Sequence, residues 1–191
     1  IRYWSKRIKK RPVKNQRLNR FIRRGGVIAY PTESCFGLGC DPKNRKAINK
    51  IIKLKKRSLN KNFILIGSSI KQFNYFLEPL NNSIAKNLFS KWPGPHTWLI
   101  TANNRCPNWL KSNSKIALRI SSFTPCQKLT KSLGMAITSS SLNLSGKIPL
   151  KNYRDVCRFL PKQVKLIKGR IGKSKRPSVI QDFQTKKIIR S

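Results

Sequence analysis

The chain is short of acid. Five aspartates and glutamates stand against 43 lysines and arginines in 191 residues, a formal net charge of +38. Such a surface excludes strongly cationic partners and points to polyanions, RNA foremost. A second source of the same charge is mutational drift, because the abundant Lys, Asn and Ile all use A- or T-rich codons; the two readings are compatible. Histidine is nearly absent, with His96 alone, so no paired-histidine metal spacing exists. The five cysteines are odd in number and form no Cys-x-x-Cys, which leaves out a zinc site and reads as reduced thiols of a cytoplasmic protein. No apolar run approaches membrane-spanning length. Residues 1–15 are basic but lack the apolar centre of a secretory signal, and read as an extension before a single domain over 16–191. Internal repeats, Gly/Ser linkers and a phosphate-cradling Gly-x-x-x-x-Gly-Lys-Ser/Thr loop are all missing.

What is present alternates between helix and strand patterns. Leu18, Phe21 and Ile22 keep helical spacing up to Gly25-Gly26. Residues 27–30 form an apolar, β-prone run that Pro31 stops, followed by a polar, glycine-bearing stretch with Gly37 and Gly39. Asn44 caps a helix whose inner face is Ala47, Ile48, Ile51, Ile52 and Leu54. Further strands are expected at 63–66, 97–102, 116–120, 135–138, 164–167, 178–183 and 187–190. Helices are expected at 70–77, 83–89, 125–133 and 152–160. The pattern predicts an α/β fold: one twisted mixed sheet flanked by helices.

Chemistry-bearing residues gather at the ends of these elements. Thr32, Glu33 and Ser34 follow the first strand, where open α/β sheets bind ligands. Lys55 and Arg57 end the Asn44 helix; such cations either offset the helix dipole or hold anions, Arg as a planar fork and Lys as a mobile point charge. Arg119 lies near the end of residues 116–120. The hydroxyl-rich 139–143 loop, with Ser139, Ser141 and Asn143, follows another strand and offers several hydrogen bonds to an anionic ligand. Trp92, Trp98 and Trp109 read as packing rather than base-stacking platforms.

Six segments occur in a fixed order: Pro31-Thr32-Glu33, Lys55-x-Arg57, Trp92-Pro93-Gly94-Pro95-His96-Thr97, Ile116-Ala117-Leu118-Arg119, Ser141-Leu142-Asn143-Leu144-Ser145-Gly146 and Pro177-Ser178. Together they resemble the YrdC-like family, the L-threonylcarbamoyladenylate synthases of tRNA modification, in its short bacterial form. The resemblance implies condensation of L-threonine, bicarbonate and ATP, with Mg²⁺, into threonylcarbamoyl-AMP and pyrophosphate, and a partner transferase that carries the product to tRNA. It implies catalytic and nucleotide-binding roles for Lys55 and Arg57, nucleotide binding by Ser141 and Asn143, and threonine binding by Thr32, Arg119, Ser139 and Ser178. His96 fills a variable motif position, so no Ser-His-Asp relay is implied. No residue is implied as a metal ligand. The chain departs from the pattern after Arg119, where relatives carry an Asp-His-Pro-like turn and this sequence reads Ser121-Ser122-Phe123-Thr124-Pro125. The alternative is a non-catalytic RNA-binding or ribosome-assembly module on the same fold; intact Lys-x-Arg and Ser-x-Asn pairs weigh against it.

Overall fold

The computed structural model describes residues 15–58 and 63–191; the extension expected over 1–15 lies outside them except for Asn15. Helix α1 (Gln16–Arg23) begins where the Asn15 side chain accepts from Leu18 N–H at 3.0 Å, and buries Leu18 and Ile22. Strands β1 (Val27–Pro31) and β2 (Phe36–Gly39) pair antiparallel, with Pro31 opposite Phe36. Pro31 thus closes β1 from within, at a terminal position where its missing N–H breaks no inner rung. Helix α2 (Arg45–Lys55) starts on Asn44, which accepts from Ala47 N–H at 3.0 Å, and buries Ala47, Ile48 and Ile51 as expected.

Strand β3 (Ile64–Gly67) is followed by a single 3₁₀ turn, Ile70–Phe73. The helix expected over 70–77 is confined to that turn. Phe73, Phe76 and Leu77 are all buried, a spacing that suits a helix but here serves an irregular segment packed flat on the core. Next come α3 (Asn82–Phe89), β4 (His96–Thr101), β5 (Lys115–Ile120), α4 (Thr124–Leu133) and β6 (Ile137–Ser141). The chain closes with α5 (Tyr153–Phe159), β7 (Val164–Leu166), β8 (Val179–Asp182) and β9 (Ile188–Arg190). The strands join in one mixed nine-stranded sheet, ordered β7-β1-β2-β6-β3-β5-β4-β8-β9.

Strand register divides the side chains between two faces, because neighbours in register point the same way and alternate along each strand. One face carries Val27, Ala29, Phe36, Leu38, Leu65, Ile116, Leu118 and Ile100, and forms the main core with α2 and Leu88 of α3. The other carries Ile28, Tyr30, Ile66 and Ile137, which α1 and α4 cover with Leu18, Ile22, Leu129 and Leu133. Two helices do not cover a sheet this wide. On the same face, register places Gly37 beside Ser141, with Ser139 two residues along β6, and puts Arg119 across β3 at the level of Ile66 and Ile137.

Strands β7 and β8 are consecutive in the chain but lie far apart in the sheet order. Residues 167–178 bridge them as a strap beside the Thr32–Glu33 turn. The strap is tied down by Ile167 N–H to Ala29 O at 2.8 Å, Gly172 N–H to Thr32 O at 2.9 Å and Ser174 N–H to Glu33 O at 3.0 Å. Gly172 is required here: a Cβ would sit 2.7 Å from Glu33 O.

Candidate active site

The end of α2 supplies the first part of the site. Lys56 caps the helix in the left-handed region, with φ 47° and ψ 46°, and this turn separates Lys55 from Arg57. Lys55 is buried, 2% exposed. Its ammonium donates to Asn143 Oδ1 at 2.7 Å, to Asn143 O at 2.9 Å and, closely, to Ser141 O. Ser141 Oγ donates to Asn143 Oδ1 at 2.8 Å, and Ser145 N–H returns to Lys55 O at 2.8 Å. Burial, and then the charge of Arg57, push the Lys55 ammonium down to about 8. The Arg57 guanidinium lies 5.1 Å over the Phe63 ring, and burial lowers its pKa.

The turn after β1 supplies the second part. Thr32 Oγ1 donates to Cys35 O at 2.7 Å, and the Cys35 thiol is pushed up by burial while the Lys55 charge pulls the other way. Glu33 accepts from Arg119 at 2.7 Å and, closely, from the Ser121 hydroxyl; the two charged side chains are 11% and 15% exposed. Arg119 Nε also donates to Gly94 O at 3.0 Å. Its guanidinium is therefore held on two sides, by a carboxylate and by the Trp-Pro-Gly-Pro turn.

The third part comes from the last strands. Ser178, buried just before β8, shares a 2.9 Å hydrogen bond with Thr97. Arg190 on β9 donates to Ser178 O at 2.8 Å and to its Oγ at 3.2 Å. Burial, and then the positive charge of Arg119, lower the pKa of Arg190, so the two guanidiniums share one field. The Tyr30 hydroxyl donates to Thr138 O at 3.4 Å, and burial raises its pKa well above the ordinary value while Ser139 pulls the other way.

The three parts are contiguous. Lys55 holds Ser141, Ser141 pairs with Gly37, and a Cβ on Gly37 would stand 3.1 Å from Thr32 Cγ2. Thr32 leads to Glu33, Glu33 to Arg119, and Arg119 to Arg190 and Ser178. All eight residues singled out in the sequence border this run. Two expectations need correction. The Gly37–Gly39 stretch is strand β2 rather than a loop, because glycine lets the Tyr30 ring lie on it: a Cβ at Gly39 would be 2.9 Å from Tyr30 Cε1 and 2.8 Å from Thr138 O. Ser139 and Ser141 lie within β6 rather than in a loop after it, so sheet register fixes their direction.

Sequence reasoning gave no role to Arg190, Thr97, Ser121 or the pairing of Glu33 with Arg119. The signal for Glu33 was its rarity, an acid retained beside a motif in a chain with five. Ser121 explains the departure after Arg119: it ties Glu33 to the start of α4, accepting from Phe123 N–H at 3.0 Å. His96 opens β4 against Trp98, ring centroids 4.3 Å apart, with its pKa lowered by burial. Trp92 and Trp98 are buried and bond main-chain oxygens of His96 and Leu88, as packing residues do. All five cysteines are unpaired. A hollow of about 850 Å³ lies beyond Pro31, between α1 and α4, away from these converging groups.

The arrangement suits anionic ligands. It holds cations in a shielded setting, with hydroxyls and an amide between them. A family model described as "Telomere recombination" (Sua5, YciO, YrdC) matches residues 20–191. A relative from Methylobacillus flagellatus named threonylcarbamoyl-AMP synthase is 41% identical over 174 residues, 91% of this chain and 97% of that one. Another of that name, from Buchnera aphidicola, is 40% identical over 167 residues, 86% and 95% of the two chains. The crystal structure of E. coli YciO superimposes with a TM-score of 0.77 at 26% identity, covering 92% of this chain and 87% of that one. P. abyssi Sua5 complexed with L-threonine shares the fold with a TM-score of 0.78 at 24% identity, covering 87% and 50%.

Proposed function

The chain belongs to the Sua5/YciO/YrdC family, and we propose that it is a threonylcarbamoyl-AMP synthase, joining L-threonine, bicarbonate and ATP into threonylcarbamoyl-AMP and pyrophosphate. The observation that carries this reading is the continuous run from Lys55 through Thr32 and Glu33 to Arg119, Ser178 and Arg190, which supplies separate cationic places for a phosphate chain and a carboxylate. The non-catalytic alternative has no such observation in its favour.

In this reading the threonine amine adds to bicarbonate, giving a carbamate and water. A carbamate oxygen then attacks the α-phosphorus of ATP, and pyrophosphate leaves. Lys55 and Arg57 face the phosphates, where charge concentrates in the transition state. Ser141 and Asn143 hold the nucleotide. Thr32, Ser139 and Ser178 hold threonine, with Arg119 on its carboxylate. Glu33 and Gly94 fix the Arg119 fork before substrate arrives, so little ordering remains at the moment of reaction. Positioning of this kind lowers barriers by roughly 7–11 kcal/mol in favourable cases. Among the described residues no group of three or more His, Cys, Asp or Glu could hold a metal; Mg²⁺ therefore belongs to this scheme as part of the nucleotide substrate. No described helix is long and apolar enough to cross a membrane. We place the enzyme in the cytoplasm, supplying its product to a transferase that modifies tRNA.

The test is pyrophosphate release from MgATP and bicarbonate, with threonine omitted and then added. Release should depend on threonine and prefer it to serine. Threonine-independent release, or equal use of serine, overturns the assignment.

A further inference from the structure

Helix α1 takes no part in the site, yet the surface around it is built for an anion. Its apolar residues Leu18 and Ile22 are buried against α4, which forces its arginines outward. Arg17, Arg20 and Arg23, with the cap residue Arg24, are all exposed. Three adjoining hollows, of about 850, 560 and 740 Å³, flank this one helix. Lys128 and Lys168 line the first, and Lys50, Lys162 and Lys165 line the third. No acidic side chain lines any of them among the described residues. Arg17, Arg20 and Arg24 have no side-chain partner there, whereas Arg23 is engaged by Asn19 Oδ1 at 2.9 Å. Residues 1–14, which lead into the helix, add seven cations and no carboxylate to the sequence.

Drift toward lysine does not account for this patch. Lysine outnumbers arginine 27 to 16 over the chain, yet every cation of α1 and its cap is arginine. Arginine differs from lysine in presenting a planar fork that grips phosphate with two bonds. Positions 17, 20 and 24 also recur at helical spacing, so they share one side of α1. A membrane surface is a poor match, since the apolar side of α1 is already used inside the protein.

We propose that the α1 surface is a docking site for the phosphate backbone of a structured RNA, separate from the catalytic face of the sheet. The preference for RNA over other polyanions rests on the proposed function, whose product is destined for tRNA. In this arrangement the arginines hold neighbouring phosphates, and the hollows on either side admit the flanking backbone.

Binding of a labelled, unmodified tRNA transcript to the full chain tests this, read by fluorescence anisotropy across a salt series. Replacing Arg17, Arg20 and Arg24 together by Gln should weaken binding about tenfold or more, and should flatten the log–log salt slope by roughly 0.7–0.9 for each phosphate no longer neutralised. A control triple removes the same charge at exposed Lys71, Lys86 and Lys187 and should change affinity less than about threefold, since it alters only the long-range field. The R17K/R20K/R24K variant keeps both charge and helix, and should recover part of the affinity. Equal losses from the two Gln triples, or none from the α1 triple, overturn the proposal. Full recovery by Lys overturns the role of the fork. A dextran sulfate competitor that displaces the transcript from the wild type and from the α1 triple equally also counts against an RNA site on α1. Threonine-dependent pyrophosphate release, measured without RNA, should be the same in all variants. Its absence from the wild type would overturn the enzymatic reading alone.

Discussion

At Lys55, burial and charge pull in opposite directions. Three oxygens accept from its ammonium, but loss of hydration lowers its pKa from 10.5 to about 8. Between those two values the folded protein holds fewer protons at Lys55 than the unfolded chain does. Its contribution to folding therefore rises with pH across that window. In the proposed role, function should run the other way: the ammonium is present below about 8, and its attraction for a phosphate would disappear above. Threonine-dependent turnover should thus fall as pH rises through about 8, and Lys55→Arg, which stays charged, should lose that limb while other pH effects remain. An unchanged profile in Lys55→Arg would mean that another group titrates. Lys55→Ala leaves Ser141 O and Asn143 without their donor, at a cost of about 1–3 kcal/mol, so its melting temperature must be read beside its activity. The place of Lys55 at a helix end was legible from the sequence. Its burial was not, because the groups that enclose it lie 86 and 88 residues further along the chain.

Among the secondary-structure elements, those hidden from the sequence were the ones whose glycines and serines mimic loops. Strand β2 reads as a turn because two of its four residues are glycine, yet close packing on Tyr30 and Thr138 demands them. Strand β6 ends in three serines, typical of a loop until register with β2 and β3 gives each a direction. Helices α1, α2 and α4 were legible because their buried residues keep a 3.6-residue period and each has a polar or glycine cap on at least one end. The end of α2 carries a cost visible in its geometry. Lys56 is exposed and left-handed, where a side chain costs about 1–2 kcal/mol relative to glycine. Lys56→Gly should therefore raise stability by about 0.5–1 kcal/mol in a denaturant titration. If this left-handed turn also presets the spacing of Lys55 and Arg57, turnover should fall in the same variant. Reduced stability would show that the Lys56 side chain contributes more than its backbone loses.

Over the whole molecule, 43 cations and five acids must coexist on one small body. Mutual repulsion opposes compaction, and added salt screens it, with a Debye length of about 10 Å at 0.1 M and 3 Å at 1 M. The melting temperature should rise when sodium chloride is increased from about 0.05 M to 0.5 M. A falling value would mean that favourable pairs such as Lys115–Asp182 at 2.5 Å outweigh the repulsion. The general architecture, one mixed sheet with helices on both faces, followed from alternation alone. The strand order did not, since nothing in the local pattern sends β7 and β8 to distant places in the sheet. That separation governs the order in which the molecule is made. Seven strand spacings separate β7 from β8 in the sheet order, and the strap of residues 167–178 must cross them. During synthesis the strands β1 to β6 leave the ribosome first and can pair while Ser178 and Arg190 are still unmade. The end of the face that holds Ser178 and Arg190 closes last, after the strap has crossed. Translation delivers a sheet before it delivers a catalyst, and a chain released before β8 carries half a site.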